Sequence, residues 1–144
     1  MKKLLLLTLI LPTAVIPMDT NFFKNDYRVL QKRFFGTGEI TLKKYNDFKP
    51  RGLALYNTNT CFIHQLSLNP KEQHKGLGSW LLKKSLNDMK KHGCQTVTVC
   101  SLFEAVGFYA KHGFETDHEA LKYCNERYDT KRIPNPLSAM KKTL

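Results

Sequence analysis

The stretch that decides this chain is Leu66-Ser67-Leu68-Asn69-Pro70-Lys71-Glu72-Gln73-His74-Lys75-Gly76-Leu77-Gly78-Ser79-Trp80-Leu81-Leu82. Its first residues close a strongly apolar strand, Cys61–Leu68. Asn69-Pro70 ends that strand, because proline has no N–H for a ladder and restricts the residue before it. Its last residues open a helix. Leu77, Trp80, Leu81, Leu82, Ser85, Leu86 and Met89 recur at helical spacing, while Lys83, Lys84, Asn87, Lys90 and Lys91 occupy much of the other face. Lys90, Lys91 and His92 set cations against the C-terminal end of the helix dipole, and Gly93 supplies a left-handed cap. Between strand and helix lies a short loop with two glycines. Such a loop aims unpaired backbone N–H groups outward at the positive end of the dipole, and Gly76 and Gly78 leave room for an anion's oxygens to reach the main chain. His74 and Lys75 add positive charge beside it. A tight strand-to-helix turn with no ligand needs the same glycines, so the pair alone leaves both readings open. Other glycine loops fail on detail. The third glycine of a dinucleotide fingerprint would fall where Leu81 stands, and the Gly-Lys-Ser/Thr of a Walker loop is absent.

Outward from this stretch, Thr96–Cys100 reads as a β-branched strand and Phe103–Lys111 as a second short helix, closed by Gly113. On the other side, Asn57–Thr60 is a polar turn. Before it, Glu39–Leu42 and Leu53–Tyr56 read as strands joined by a loop that contains Pro50 and Gly52. Asn21–Phe35 is expected to form a short helix, with Tyr27, Leu30 and Phe34 at i, i+3 and i+7. Strand, helix, strand, helix in succession implies an α/β domain with a mixed sheet and locally parallel pairing.

A length of 144 residues suits one domain and leaves no room for two. With 42% hydrophobic and 11% aromatic residues the chain can build a core, which excludes a disordered tail. Lys and Arg number 23 against 12 Asp and Glu, a net charge of +11. Nucleic acid, an anionic membrane face and a small polyphosphate all suit such a balance, and so does a merely solvated basic surface. The four cysteines, Cys61, Cys94, Cys100 and Cys124, are too sparse for a disulfide scaffold. Cys61 with His64, and His92 with Cys94, have ligand-like spacing but no matching partner pair, so core packing is expected of them and no metal. Residues 1–18 begin with Lys2 and Lys3 before an uncharged stretch, Leu4 to Met18, broken by Pro12 and Pro17. That resembles the first two parts of a secretory signal, without a good small-residue cleavage site. A buried first strand is the alternative. The expected organisation is therefore a possible signal peptide or membrane anchor at 1–18 and the domain at 19–144.

The loop resembles the acetyl-CoA signature of the GNAT N-acetyltransferase superfamily, Gln/Arg-x-x-Gly-x-Gly/Ala, met here by Gln73, Gly76 and Gly78. The preceding Leu-x-Leu/Val-x-Pro is met by Leu66, Leu68 and Pro70. A second motif, Ala-x-x-Phe-Tyr-x-Lys-x-Gly-Phe, is matched by Ala105, Phe108, Tyr109, Lys111, Gly113 and Phe114, and residues 138–142 look like the last strand of such domains. The likeness covers roughly residues 34–144. Two departures stand out: the family's asparagine three positions before Ala105 is Leu102 here, and the front of the domain is shortened, leaving little sequence for the helices that build the acceptor site.

The resemblance implies a GNAT-like acyltransferase fold and an N-acetyltransferase that moves an acetyl group from acetyl-CoA, used as co-substrate, to a primary amine by direct attack. The pantetheine arm would pair with the main chain at Leu66 and Leu68. The pyrophosphate would lie on N–H groups of His74, Lys75, Gly76, Leu77, Gly78 and Ser79, with Gln73 at the loop's start. Tyr109 would be the general acid. No acid lies between Cys61 and Leu68, so His64, placed with Phe62 and Leu66 by strand alternation, is the candidate base, with water acting through a polar chain as the alternative. The partners implied are acetyl-CoA and an amine acceptor, with no nucleic acid and with possible membrane attachment through residues 1–18. Acetyl-CoA places the domain in the cytoplasm, whereas the leader-like stretch suggests export. The rival readings are a non-catalytic acyl-CoA-binding module and a basic nucleic-acid-binding protein.

Overall fold

The computed structural model describes residues 26–127 and 137–144. The leader-like stretch at 1–18 lies outside the described residues. Seven strands form one sheet in the order β1-β2-β3-β4-β5-β7-β6, namely β1 Tyr27–Phe34, β2 Thr37–Lys44, β3 Pro50–Asn57, β4 Phe62–Leu68, β5 Thr96–Leu102, β6 Glu115–Thr116 and β7 Leu137–Thr143. The helices are α1 Leu77–Lys91, α2 Val106–Lys111 and α3 His118–Arg127. Only β4 and β5 run parallel, as required of two strands joined through a crossover helix; the other pairs are antiparallel.

One face of the sheet carries the main core. Ile40, Leu42, Ala54, Tyr56 and Ile63 meet Leu77, Leu81, Leu82, Leu86 and Met89 of α1, with Tyr109, Phe114, Val97, Val99 and Met140 completing the layer. On the other face α3 packs on β5 and β7, where Cys124 and Ala139 are buried with Cys100, Ala120 and Leu121 around them. Asp88 of α1 bolts the helix to the sheet: the Tyr56 hydroxyl donates to it at 2.6 Å and the Arg33 guanidinium pairs with it.

Three local expectations are corrected. Of the expected Asn21–Phe35 helix, the described part is not helical: Tyr27–Phe34 is an edge strand in unbroken register with β2, from Tyr27↔Lys44 to Phe34↔Thr37. Tyr27 and Val29 pack on the core at period two, and the ladder outweighs a helical spacing of only three apolar residues. Pro50 and Gly52 lie inside β3 rather than in a loop. A Cβ on Gly52 would stand 2.7 Å from the Leu68 side chain, so the close strand approach calls for glycine there. The cysteines are not merely packed; they form the disulfides Cys61–Cys94 and Cys100–Cys124. The first joins the start of β4 to the segment between α1 and β5, and the second ties α3 to β5. Both bridge residues distant in sequence, so spacing could not reveal them.

Candidate active site

β4 and β5 pair only at Phe62↔Thr98 and Ile63↔Val99, then separate. The opening between them, beneath the N-terminus of α1, is a cleft of about 540 Å³. Leu66, Ser67 and Leu68 line one wall, and Leu102, Glu104, Ala105, Phe108 and Tyr109 the other; Gln73, His74, Gly76, Gly78 and Ser79 form the end. A second hollow of about 420 Å³, along α1 among Lys84, Asn87, Asp88, Lys90 and Lys91, lies away from these groups.

The end wall is built to receive an anion. Asn69 accepts the Lys71 N–H at 3.0 Å and caps a short 3-10 turn, Pro70–Glu72, that swings the chain off β4. His74 and Gly76 both take positive φ, 63° and 76°. Gly76 is the N-cap residue of α1 and has no side chain to satisfy the helix's first N–H groups; only at Trp80 does an N–H return to the Gly76 carbonyl, at 3.0 Å. The N–H groups of Leu77, Gly78 and Ser79 therefore present the positive end of the dipole. A Cβ on Gly78 would meet Leu68 at 3.3 Å and Phe108 at 3.5 Å, so glycine keeps the two walls apart from the loop.

Most residues expected to bind the cofactor come together: Leu66, Leu68, Gln73, His74, Gly76, Gly78 and Ser79 all line the cleft. Lys75 and Leu77 do not. Leu77 turns its side chain into the core, and Lys75 turns to Glu72 at 2.9 Å. Tyr109 is buried on the cleft wall between the rings of Phe108 and Phe114, with centroids 5.2 and 5.4 Å away.

His64 requires a change of geometry. Leu55 opposes Gln65 but Tyr56 opposes Ile63, so β4 carries a bulge at His64. The bulge resets the alternation: Leu66 joins Ile63 on the α1 face, while His64 stays beside Phe62, ring centroids 5.1 Å apart, and outside the cleft lining. The expected shared face of Phe62, His64 and Leu66 is therefore not formed.

Sequence reasoning passed over three groups. His112 Nε2 lies 2.9 Å from Ser79 Oγ, and burial with Lys83 and Lys142 nearby lowers the imidazole pKa. A neutral ring can accept the Ser79 hydroxyl proton. The contact spans 33 residues and leaves no sequence signal. Glu104 is the one carboxylate on the cleft lining among the described residues. Glu72, 1% exposed, accepts from the Tyr27 hydroxyl and pairs with Lys75 at 2.9 Å, Lys44 at 3.4 Å and Arg51 at 4.0 Å. The Tyr27 hydrogen bond, with the lysines behind it, holds its pKa down to about 2, while burial and that same bond push Tyr27 up to about 12. A charged residue in a loop next to a glycine motif was the only hint of this anchor.

The chain matches the acetyltransferase (GNAT) family over residues 31–114, more than half its length, and it belongs to that family. No curated protein matches it by sequence. Among solved structures, N-acetylglutamate synthase from Neisseria gonorrhoeae, complexed with coenzyme A and N-acetyl-glutamate, superposes with a TM-score of 0.57 at 21% identity over 74% of this chain. This chain covers 25% of that enzyme's length. A GNAT family acetyltransferase from Elizabethkingia anophelis with acetyl-CoA bound gives 0.57 at 15% identity, over 76% of this chain and 77% of that one. The PaiA N-acetyltransferase from Thermoplasma acidophilum, in complex with coenzyme A, gives 0.54 at 19%, over 74% and 60%. At such identities the likeness is one of fold: the mixed α/β sheet is that of the GNAT acyltransferases.

Proposed function

We propose that the protein is an N-acetyltransferase that uses acetyl-CoA as co-substrate and a primary amine as acceptor. The observation that carries this reading is the union, in one cleft, of separated parallel strands, an uncapped glycine-bounded helix N-terminus and a buried tyrosine. The pantetheine arm would extend along Leu66–Leu68 as an added strand, and its phosphates would rest on the N–H groups at Leu77, Gly78 and Ser79. A main-chain N–H near Leu68 would stabilise the oxyanion as it develops. The amine nitrogen attacks the thioester carbonyl carbon, the C–S bond breaks, and the departing thiolate takes the Tyr109 hydroxyl proton. The attacking ammonium must first lose a proton. His64, at the β4 bulge, stands outside the cleft lining, so it would take that proton only through intervening water, and water acting without it is the alternative.

The residue at 102 motivates a second reading. Leucine stands where the family's asparagine belongs, and among the described residues no α-helix precedes α1. An acyl-CoA-binding module without turnover would look the same. Titration calorimetry of the full chain with coenzyme A tests the shared part: micromolar binding, lost in Gly78→Val, is expected, and absence of binding by folded protein removes both readings. Thiol release from acetyl-CoA with a panel of amines then separates them.

Location is argued from opposed facts. Acetyl-CoA is an intracellular metabolite, but two disulfides form and persist in oxidising compartments. Among the described residues no helix is long and apolar enough to cross a membrane. We place the domain in an oxidising compartment supplied with acetyl-CoA, attached through residues 1–18. Alkylation of the protein as isolated, read by mass, would show no free thiol.

A further inference from the structure

We propose that the β2–β3 loop, residues 45–49, docks on an anionic lipid surface. Phe48 is 95% exposed and Tyr45 48% exposed, at the turn between β2 and β3. The Arg28 guanidinium stands over the Tyr45 ring, 4.9 Å from its centroid, making a joint cation and aromatic surface. Lys43 and Lys49 flank the loop. Asp47 is shared between Arg51 and Lys49, and Lys44 is held by Glu72, whereas neither Arg28 nor Lys43 forms an ion pair with a carboxylate among the described residues. Exposed rings among uncompensated cations are the composition of an interfacial anchor: the rings settle at headgroup depth and the cations meet anionic lipid, each worth about a fivefold gain in affinity.

The route of the chain chooses lipid over other polyanions. β1 begins at Tyr27, which pairs with Lys44, so the chain enters the sheet at the end that bears this loop. Only residues 19–26 separate that point from Lys2, Lys3 and the uncharged stretch Leu4–Met18, a reach of at most about 27 Å. Two weak membrane signals so tethered reinforce each other, because the second binds at high effective concentration. The other exposed aromatic pair, Phe34 and Phe35, lies at the opposite end of β1, about 25 Å off at strand rise, and is not part of this patch. This docking goes beyond the acetyl-transfer reading and does not depend on it.

The test is Phe48→Trp in the full chain, mixed with phosphatidylglycerol vesicles carrying brominated acyl chains, against the unaltered chain, whose Trp80 supplies the background. Quenching in the variant well beyond that background is expected, and affinity should fall about tenfold in Tyr45→Ser/Phe48→Ser. On phosphatidylcholine vesicles binding should weaken by at least tenfold. Co-sedimentation with the indole at position 48 unquenched would overturn the proposal, since residues 1–18 would then be the whole anchor. So would equal affinity for both vesicles. A chain that ignores vesicles but binds an oligonucleotide through Arg28, Lys43 and Lys49 would overturn it in favour of nucleic acid. Both residues are exposed, so circular dichroism should report unchanged folding in every variant.

Discussion

Replacing Glu72 with glutamine should loosen the floor of the glycine loop before α1, and the structure sets the size of the effect. The carboxylate is out of water, accepts from Tyr27 and faces Lys44, Arg51 and Lys75. Its pKa stands at about 2 against an ordinary 4.5. At about 1.4 kcal/mol per decade, the charged form stabilises the native state by about 3 kcal/mol at neutral pH. Because the native pKa is the lower one, the unfolded chain binds the proton first. The contribution is complete above the unfolded pKa and is lost as pH falls through the native value, between about 4.5 and 2. Glu72→Gln keeps the volume and an acceptor for Tyr27 but leaves Lys44 and Lys75 without their counter-charge and Arg51 with Asp47 alone. Urea unfolding followed by circular dichroism should show the variant about 3 kcal/mol less stable at pH 7, and about 1.5 kcal/mol at pH 3, where protonation in the unfolded wild type has removed half the advantage. A gap below 1 kcal/mol at pH 7, or one that stays constant down to pH 3, would refute the claim that this carboxylate is a charged anchor.

Tyr109→Phe should lower kcat for acetyl transfer by a hundredfold or more with little change in KM for acetyl-CoA, as expected of a lost general acid, in steady-state kinetics with any accepted amine. Gly78→Val should abolish coenzyme A binding in calorimetry while leaving the fold intact, because the added methyls project between Leu68 and Phe108. Reduction should cost about 3.5 kcal/mol per disulfide, for spans of 33 and 24 residues, seen as a lower urea midpoint in dithiothreitol. Below about pH 6.5 the His112 ring, whose pKa burial lowers, contributes a loss of stability as the unfolded chain takes up its proton first. His112→Asn should flatten that part of the urea-midpoint profile.

The sequence by itself determined the strand, glycine loop and helix from Leu66 to Met89. The Pro70 stop, the glycines at 76 and 78 and the helical stripe from Leu77 to Met89 are local signals, each enforced within a few residues, and the strand, loop and α1 form where they indicate. The motif around Tyr109 places α2 for the same reason. What only the tertiary structure decided depends on partners far along the chain. β1 is a strand because β2 lies alongside it, although Tyr27, Leu30 and Phe34 recur at a helical spacing. The bulge at His64 follows from register with β3, and it alone moves Leu66 to the face opposite that histidine. The disulfides, the hydrogen bond between His112 and Ser79, and the cluster around Glu72 each join segments that spacing cannot relate. Periodicity records which face of an element is apolar. It holds no record of which element will stand against that face, and that is settled by the energy of the assembled core.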